Sequence, residues 1–195
     1  MPARCSASYI ERVERLETVD LVLRPPVEED APEAYVLLND PDVHRWNPAR
    51  DCPDLETAAA WCRDGADWPD DGTWAVFHAI DRTTDSMVGN VSLFSIDADD
   101  RVAKVGYRVL PAARGHGVGR QMVDAVTRWG FERRGLMRVQ LEHSVLNEAS
   151  CRLALAAGFA LEGTLRSSYA VPESELREDC HVHGRLASDP GLRTP

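Results

Sequence analysis

A glycine-rich hexapeptide in the second half of this 195-residue chain is the segment whose residue types best suit ligand binding. It runs from Arg114 to Gly119 as Arg-Gly-His-Gly-Val-Gly, between a predicted strand and a predicted helix. Glycines at such a junction let the backbone approach a ligand, and the first helical turn offers unpaired N–H groups and a positive dipole end. The segment therefore favours a pyrophosphate ligand, and a tight turn without a ligand is the alternative.

Two well-known phosphate-binding motifs fit this segment poorly. A P-loop ends in Gly-Lys-Ser or Gly-Lys-Thr, whereas Gly119 is followed by Arg120 and Gln121. A dinucleotide-binding fingerprint spaces its glycines as Gly-x-Gly-x-x-Gly in a parallel βαβ unit, but Gly115, Gly117 and Gly119 alternate and follow a predicted antiparallel meander. Neither a P-loop nor a Rossmann fold is therefore predicted.

Histidine and cysteine side chains are further candidates for chemistry. His181 and His183 fall on one face of a predicted strand, but the sequence shows no third ligand, so we predict a solvated pair and no metal site. Cys151 lies in a predicted helix with no histidine fixed near it by the sequence. We predict that it packs this helix and does not act as a nucleophile.

The cysteines also indicate the compartment. There are 5 of them, scattered and without a Cys-x-x-Cys pair, which predicts free thiols and not a disulfide framework. The first 20 residues lack the continuous apolar segment of a secretory signal. Together these features predict a cytoplasmic protein.

Charge is distributed unevenly along the chain. The formal net charge is −10, but residues 28–100 carry 4 basic and 18 acidic side chains, whereas residues 101–195 carry 14 basic and 10 acidic ones. So negative a net charge argues against nucleic-acid binding, and no run of 18 apolar residues could span a membrane. The asymmetry favours two ligands of opposite charge, and a solvated acidic surface is the alternative.

The hydrophobic periodicity predicts one mixed α/β domain over residues 20–187, with tails at 1–19 and 188–195. The first tail is predicted to be disordered or a peripheral helix, and Pro41 is predicted to end the first helix of the domain. Strands are predicted over 20–24, 73–80, 86–96, 103–110, 138–145, 159–171 and 179–186, and helices over 31–39, 55–63, from Val118 to before Gly135, and between Asn147 and Gly158.

The stretch from Val105 to Phe159 resembles the acetyl-CoA-binding core of the GNAT superfamily of N-acetyltransferases. A Gly-Tyr-Arg-Val-Leu-Pro strand leads into the Arg-x-x-Gly-x-Gly segment and its helix. A Leu-Glu-His-Ser-Val strand is then followed by Asn-Glu-Ala-Ser, and the next helix ends in Ala-Gly-Phe. The Asn-x-x-Ser element and the two-helix start also resemble the branch that acetylates the N-terminal amine of ribosomal proteins.

This resemblance implies a fold and an activity. The fold would be a twisted, mainly antiparallel sheet of six to seven strands flanked by about four helices, splayed where acetyl-CoA inserts. The reaction would be direct transfer of an acetyl group from acetyl-CoA to a primary amine, without a metal, by a monomer or homodimer. The acceptor would be a protein N-terminus or a small cationic amine such as a polyamine or aminoglycoside. A non-catalytic acyl-CoA-binding sensor of the same fold is the alternative.

The resemblance also implies which residues bind acetyl-CoA. The pyrophosphate would rest on backbone N–H groups of the glycine-rich segment, and the pantetheine arm would pair with main-chain atoms of the preceding strand, including Arg108. Asn147 would contact the pantetheine or cap its helix. The implied cofactor-binding residues are Tyr107, Val109, Arg114, Gly115, His116, Gly117, Val118, Gly119, Arg120 and Asn147.

Two catalytic residues follow from the same comparison. Glu142 stands five residues before Asn147, at the offset of the base glutamate in several relatives, and would take the proton of the substrate ammonium. A surface glutamate paired with a nearby arginine is the alternative. Ser150, or a water that it holds, would protonate the departing CoA thiolate. Many relatives place a tyrosine later in the same helix for this role, but this helix has none, which favours Ser150. A merely polar serine in the first helical turn is the alternative.

Overall fold

Eight strands form one sheet in the computed structural model, which describes residues 15–47, 51–66, 72–172 and 174–190. The spatial order is β1-β2-β3-β4-β5-β6-β8-β7, and every neighbouring pair is antiparallel except β5 and β6. The strands are β1 (Leu16–Glu17), β2 (Leu21–Arg24), β3 (Ala75–Asp81), β4 (Met87–Asp97), β5 (Val102–Val109), β6 (Arg138–Ser144), β7 (Ala160–Ala170) and β8 (Arg177–Leu186).

Five α-helices accompany this sheet in the described ranges. They are α1 (Ala31–Leu38), α2 (Pro41–Trp46), α3 (Leu55–Ala66), α4 (Val118–Arg133) and α5 (Glu148–Ala156), with single 3₁₀ turns at Glu28–Asp30 and Pro111–Ala113. None of these helices is long and apolar enough to cross a membrane. The mixed α/β, mainly antiparallel architecture implied by the resemblance is therefore confirmed.

The structure has one strand and one helix more than the sequence analysis predicted. Leu16–Glu17, predicted within the N-terminal tail, pairs with β2 as a two-residue strand; residues 1–14 of that tail lie outside the described residues. Pro41 ends α1 as predicted but also begins α2. Proline suits this first helical position because the N–H that it lacks would have no partner within the helix. Asp40 caps α2 by accepting a hydrogen bond from the Val43 N–H at 3.0 Å.

Two apolar clusters hold the layers together. The larger one packs the middle strands against α4, with Phe77 in edge-to-face contact with Trp129 at 5.2 Å between ring centroids. The smaller one joins α1 and α3 to Ile80 and Met87. Large apolar side chains in close-packed contact supply most of the folding free energy, so these clusters fix the strands that carry the site.

A buried ion pair anchors the acidic start of the domain. The Asp30 carboxylate accepts hydrogen bonds from Arg24 at 2.6 and 2.8 Å and from the Val27 N–H at 3.1 Å, and it lies 2.7 Å from His78 Nδ1. Although burial opposes it, these partners together hold the pKa of Asp30 well below its usual range. Burial lowers the pKa of His78, which stacks on Trp61. These acidic and basic groups therefore neutralise one another within the domain.

The sheet opens between its two parallel strands. β5 and β6 pair only from Val102 to Lys104 with Arg138 to Gln140, although β5 continues to Val109 and β6 to Ser144. Over its whole length β6 pairs instead with β8 on its other side. The splay expected for acetyl-CoA binding is thus a property of this sheet.

Candidate active site

A cleft of about 820 Å³ lies where β5 and β6 diverge. It brings together residues that are far apart in the chain, from α2, β5, the glycine-rich segment, β6 and α5. Eleven of the twelve site residues predicted from the sequence line it; the exception is His116, whose side chain is exposed outside it. The eleven are Tyr107, Val109, Arg114, Gly115, Gly117, Val118, Gly119, Arg120, Glu142, Asn147 and Ser150.

The glycines of the glycine-rich segment fall into two groups with different structural roles. Gly115 and Gly117 adopt φ values of +81° and +78°, and a Cβ on either would project into open space. Gly117 is the N-cap of α4 and supplies no side-chain hydrogen bond, so the N–H groups of the first turn are left for a ligand. A Cβ on Gly119, by contrast, would lie 2.6 Å from Leu153 Cδ1, so this glycine lets α4 pack closely on α5.

Arg114 is held by acidic partners in α2. Its guanidinium pairs with Asp40 and lies 2.7 Å from an Asp42 oxygen, and its Nε donates to the Val109 carbonyl at 3.2 Å. These bonds tie the glycine-rich segment to α2 and β5. Arg120 is exposed at the mouth of the cleft, and of these two arginines it is therefore the better placed to meet a phosphate.

Asn47, at the C-terminal end of α2, bridges to the open edge of β5. Its amide donates to the Tyr107 carbonyl at 3.2 Å, and its side-chain oxygen accepts from Arg108 Nη2 at 3.1 Å. Burial lowers the pKa of Arg108 to about 10, so its guanidinium remains charged at neutral pH. Asn47 is not among the predicted site residues because α2 was not predicted; the Asp-Pro pair at the start of α2 was the available signal.

Two hydroxyl groups that line the cleft form a half-buried hydrogen-bonded pair. The Tyr107 phenol donates a hydrogen bond to Ser150 Oγ at 3.0 Å, and Asn147 Oδ1 accepts from the Ser150 N–H at 3.0 Å. Burial raises the pKa of Tyr107, so the phenol is protonated at neutral pH. The cap role of Asn147 is confirmed. The sequence analysis assigned only main-chain contacts to Tyr107, and its position beside the glycine-rich segment was the only signal for its side chain.

Glu142 lies just beyond the last β5–β6 pair. Lys104 and Gln140 form that pair, and both donate to the Glu142 carboxylate, Lys104 Nζ at 2.7 Å from Oε1. The side chain of Glu142 is 29% exposed, so water can reach it. The partner is thus a lysine and not the arginine that the alternative interpretation named.

A cluster of imidazoles lies under α5. His183 is fully buried, so the prediction of a solvated His181–His183 pair is wrong for His183. His143 stacks on His183 at 5.1 Å between ring centroids, and Cys151 Sγ lies 4.0 Å from His183 Nε2. Burial lowers the pKa of His143 and of His183, so both rings are neutral at pH 7. The His-x-His spacing places only His181 and His183 on one face; strand register adds His143, and the packing of α5 adds Cys151.

Comparison with known proteins identifies the fold family. The profile described as an acetyltransferase (GNAT) domain matches residues 20–160, which is most of the chain. The chain belongs to the GNAT acetyltransferase family. An uncharacterized N-acetyltransferase of Bacillus subtilis (strain 168), YoaA, is 27% identical over 151 residues, which cover 77% of this chain and 85% of that protein.

Solved GNAT structures share the same fold. The ribosomal-protein-S5-alanine acetyltransferase of Vibrio fischeri has a TM-score of 0.77 at 20% identity and covers 90% of this chain and 98% of its own. The microcin C7 self-immunity acetyltransferase MccE, solved with acetyl-CoA and AMP, has a TM-score of 0.74 at 20% identity and covers 87% and 93%. The branch named by the resemblance is therefore among the structural neighbours, which share the fold. As a member of the GNAT family, this protein is an N-acetyltransferase.

Filling the space beside Gly115 and Gly117, here called the glycine cradle, tests where this GNAT protein binds acetyl-CoA. A Cβ added to Gly117 would meet open space, so Gly117→Trp would place an indole in the space that is expected to hold the pyrophosphate. We expect acetyl-CoA affinity, measured by calorimetry, to fall more than about tenfold through loss of charge-assisted hydrogen bonds. Gly163→Trp, at another open glycine position on β7, is the control and should bind normally. Equal affinities for the two variants would contradict the assignment of the cradle.

Proposed function

We propose that this enzyme transfers the acetyl group of acetyl-CoA directly to the α-amine of a polypeptide. The observation that carries the proposal is the half-buried Tyr107–Ser150 hydrogen bond, whose two residues line the same cleft as the glycine-rich segment and Glu142. An anion site, a hydroxyl donor and a carboxylate in one cleft are the groups that acyl transfer from a thioester to an amine requires.

The cofactor half of the cleft suits CoA. Five basic side chains line the cleft, against two acidic ones. The five are Lys104, Arg108, Arg114, Arg120 and Arg152, and the two are Asp42 and Glu142. This excess of positive charge complements the phosphates of CoA, and the first turn of α4 would hold the pyrophosphate. The N–H groups of Tyr107 and Val109 would pair with the pantetheine arm, since their carbonyls already accept bonds from Asn47 and Arg114.

The proposed steps balance their protons. The ammonium of the acceptor gives a proton to Glu142, directly or through water, and its lone pair attacks the thioester carbon. Glu142 passes its proton on to solvent. The C–S bond then breaks, the nitrogen of the new amide loses its second proton to solvent water, and the leaving thiolate takes the proton of the Ser150 hydroxyl. The Tyr107 phenol, which already donates to Ser150, restores that proton and is itself reprotonated from solvent. Proximity in the cleft supplies the remaining rate enhancement.

The charges of the cleft favour a singly charged amine as acceptor. Its two carboxylates are both engaged, Asp42 by Arg114 and Glu142 by Lys104. A polyamine or aminoglycoside would therefore find no unpaired carboxylate among the described lining residues. The exposed Phe94 lies opposite Lys104 in the β4–β5 register and offers an apolar contact beside Glu142, which suits the first side chain of a peptide.

The thiols support a cytoplasmic location for this reaction. Cys52, Cys62, Cys151 and Cys180 are all free. A protein whose described cysteines are unpaired fits a reducing compartment, where acetyl-CoA and newly made N-termini are both present.

Mass spectrometry of an amine panel tests the acceptor class. With acetyl-CoA, we expect acetylated product from peptides with a free α-amine, at a kcat/KM at least about tenfold above that for polyamines and aminoglycosides, a preference of about 1.4 kcal/mol. The same peptides with a blocked α-amine are the control. Acetylation of the polycations alone would overturn the choice of acceptor, and acetyl-CoA binding without any product would favour the sensor.

Removing the two hydroxyls tests the proton donor. Ser150→Ala and Tyr107→Phe should each lower kcat by about 10²-fold, the usual contribution of general acid catalysis, with little change in acetyl-CoA affinity. Because the two act in series, the double variant should be no slower than the slower single variant. Tyr35→Phe, in the smaller apolar cluster, is the matched control. Full activity of Ser150→Ala would assign the proton to water.

The pH profile tests Glu142. Glu142→Gln should lower kcat by about 10²-fold below the amine pKa, near 8 for an α-amine, and less above it, where the acceptor arrives deprotonated. Glu162→Gln, which removes a surface carboxylate paired with Arg138, should keep the wild-type profile. Lys104→Met separates the two roles of Glu142, because it breaks the ion pair but keeps the base. If Lys104→Met and Glu142→Gln have identical profiles, Glu142 is an ion-pair partner only.

A further inference from the structure

Four potential metal ligands, none of which has a role in the proposed acetyl transfer, converge beneath α5. They are His143 on β6, His181 and His183 on β8, and Cys151 on α5, and one ligand atom from each lies within 4.8 Å of all the others. We propose that these four side chains bind one transition-metal ion, with Zn²⁺ as the natural occupant. The proposal rests on their geometry and is independent of the acceptor and of the proton donor.

The spacing of the ligand atoms fits tetrahedral coordination. Zinc–nitrogen bonds of about 2.0–2.1 Å place two tetrahedral nitrogens about 3.3 Å apart, and a zinc–sulfur bond of about 2.3 Å places sulfur about 3.6 Å from each. His143 Nε2 and His183 Nε2 are 3.1 Å apart, and Cys151 Sγ is 4.0 Å from His183 Nε2. These two distances differ from the tetrahedral values by a few tenths of an ångström, and every ligand atom, including that of His181, lies within 4.8 Å of the others.

The surroundings hold the imidazoles in orientations that suit a metal. His143 Nδ1 lies 2.8 Å from the Ser144 carbonyl, which can only accept, so this nitrogen carries the proton and Nε2 keeps its lone pair. Such an outer hydrogen bond is the usual support of a metal-bound histidine. The buried Nδ1 atoms of His181 and His183 both have no hydrogen-bond partner within the described residues, and buried polar atoms of this kind are costly unless a ligand satisfies them.

The donor set selects the class of metal. Three imidazole nitrogens and one thiolate sulfur suit Zn²⁺ and its substitute Co²⁺, whereas Mg²⁺ and Ca²⁺ prefer oxygen ligands. Coordination by Cys151 would release its thiol proton to solvent. Four protein ligands leave no open position, which is typical of a structural site. Such an ion would tie α5, which carries Ser150, to β6 and β8.

Spectroscopy of the intact protein with Co²⁺ tests the site. After chelation and dialysis, we expect about one Co²⁺ per chain, with the intense visible bands of a tetrahedral site and a sulfur-to-cobalt charge-transfer band in the near ultraviolet. Added Zn²⁺ should displace the cobalt and raise the melting temperature. Less than about a tenth of an equivalent bound, with no charge-transfer band, would overturn the proposal.

Matched variants locate the ligands. Cys151→Ser should abolish the charge-transfer band, whereas Cys62→Ala, at a buried thiol in the smaller cluster, should keep it. His181→Asn and His183→Asn should each weaken binding at least tenfold, and His44→Asn in α2 should not. Circular dichroism confirms folding; because His183 is buried, the half-exposed His181 gives the decisive result if His183→Asn does not fold. Undiminished binding by both Cys151→Ser and His181→Asn would place the metal elsewhere and overturn the assignment.

Discussion

The limited pairing of β5 with β6 is the constraint on which the site depends. Parallel strands that stayed paired to their ends would leave no room for a ligand, but these two share only the first three residues of each. The glycine contact between α4 and α5 keeps the two helices close over the opening, because Gly119 admits the Leu153 side chain. The opening is therefore a feature of the sheet itself, in which β5 has no strand partner beyond Lys104 on the side that faces β6.

This divergence also sets the chemistry. Tyr107 lies on β5 and Ser150 lies on α5, so their hydrogen bond links these two elements across the cleft. Glu142 and Lys104 stand where β5 and β6 separate. A carboxylate and a pair of hydroxyls thus line the same cleft from different elements, which is the arrangement that the proposed acyl transfer needs.

Three carboxylates of the acidic first half form ion pairs that hold the structure together. Asp30 binds Arg24 and lies beside His78 in the interior, while Asp40 and Asp42 hold Arg114. The ion pairs of Arg114 with these two aspartates thus join α2, in the acidic half of the chain, to the glycine-rich segment in the basic half. Since the carboxylates at the cleft are engaged in ion pairs, the pattern gives less support to a polycationic acceptor than the sequence alone suggested.

Local features of the chain were predictable from its sequence. The glycine-rich turn, the Asn147 cap and the order of most strands and helices depend on backbone preferences that act over a few residues. Pro41 was ambiguous, because the same residue can end one helix and begin another. Contacts between distant residues depend on strand register and helix packing, which no short pattern encodes. Tyr107 and Ser150 are 43 positions apart, and His143 and His183 are 40 apart. The sequence therefore determined the family and the glycine-rich segment, whereas only the tertiary structure decided the hydroxyl pair, the partner of Glu142 and the histidine–cysteine cluster.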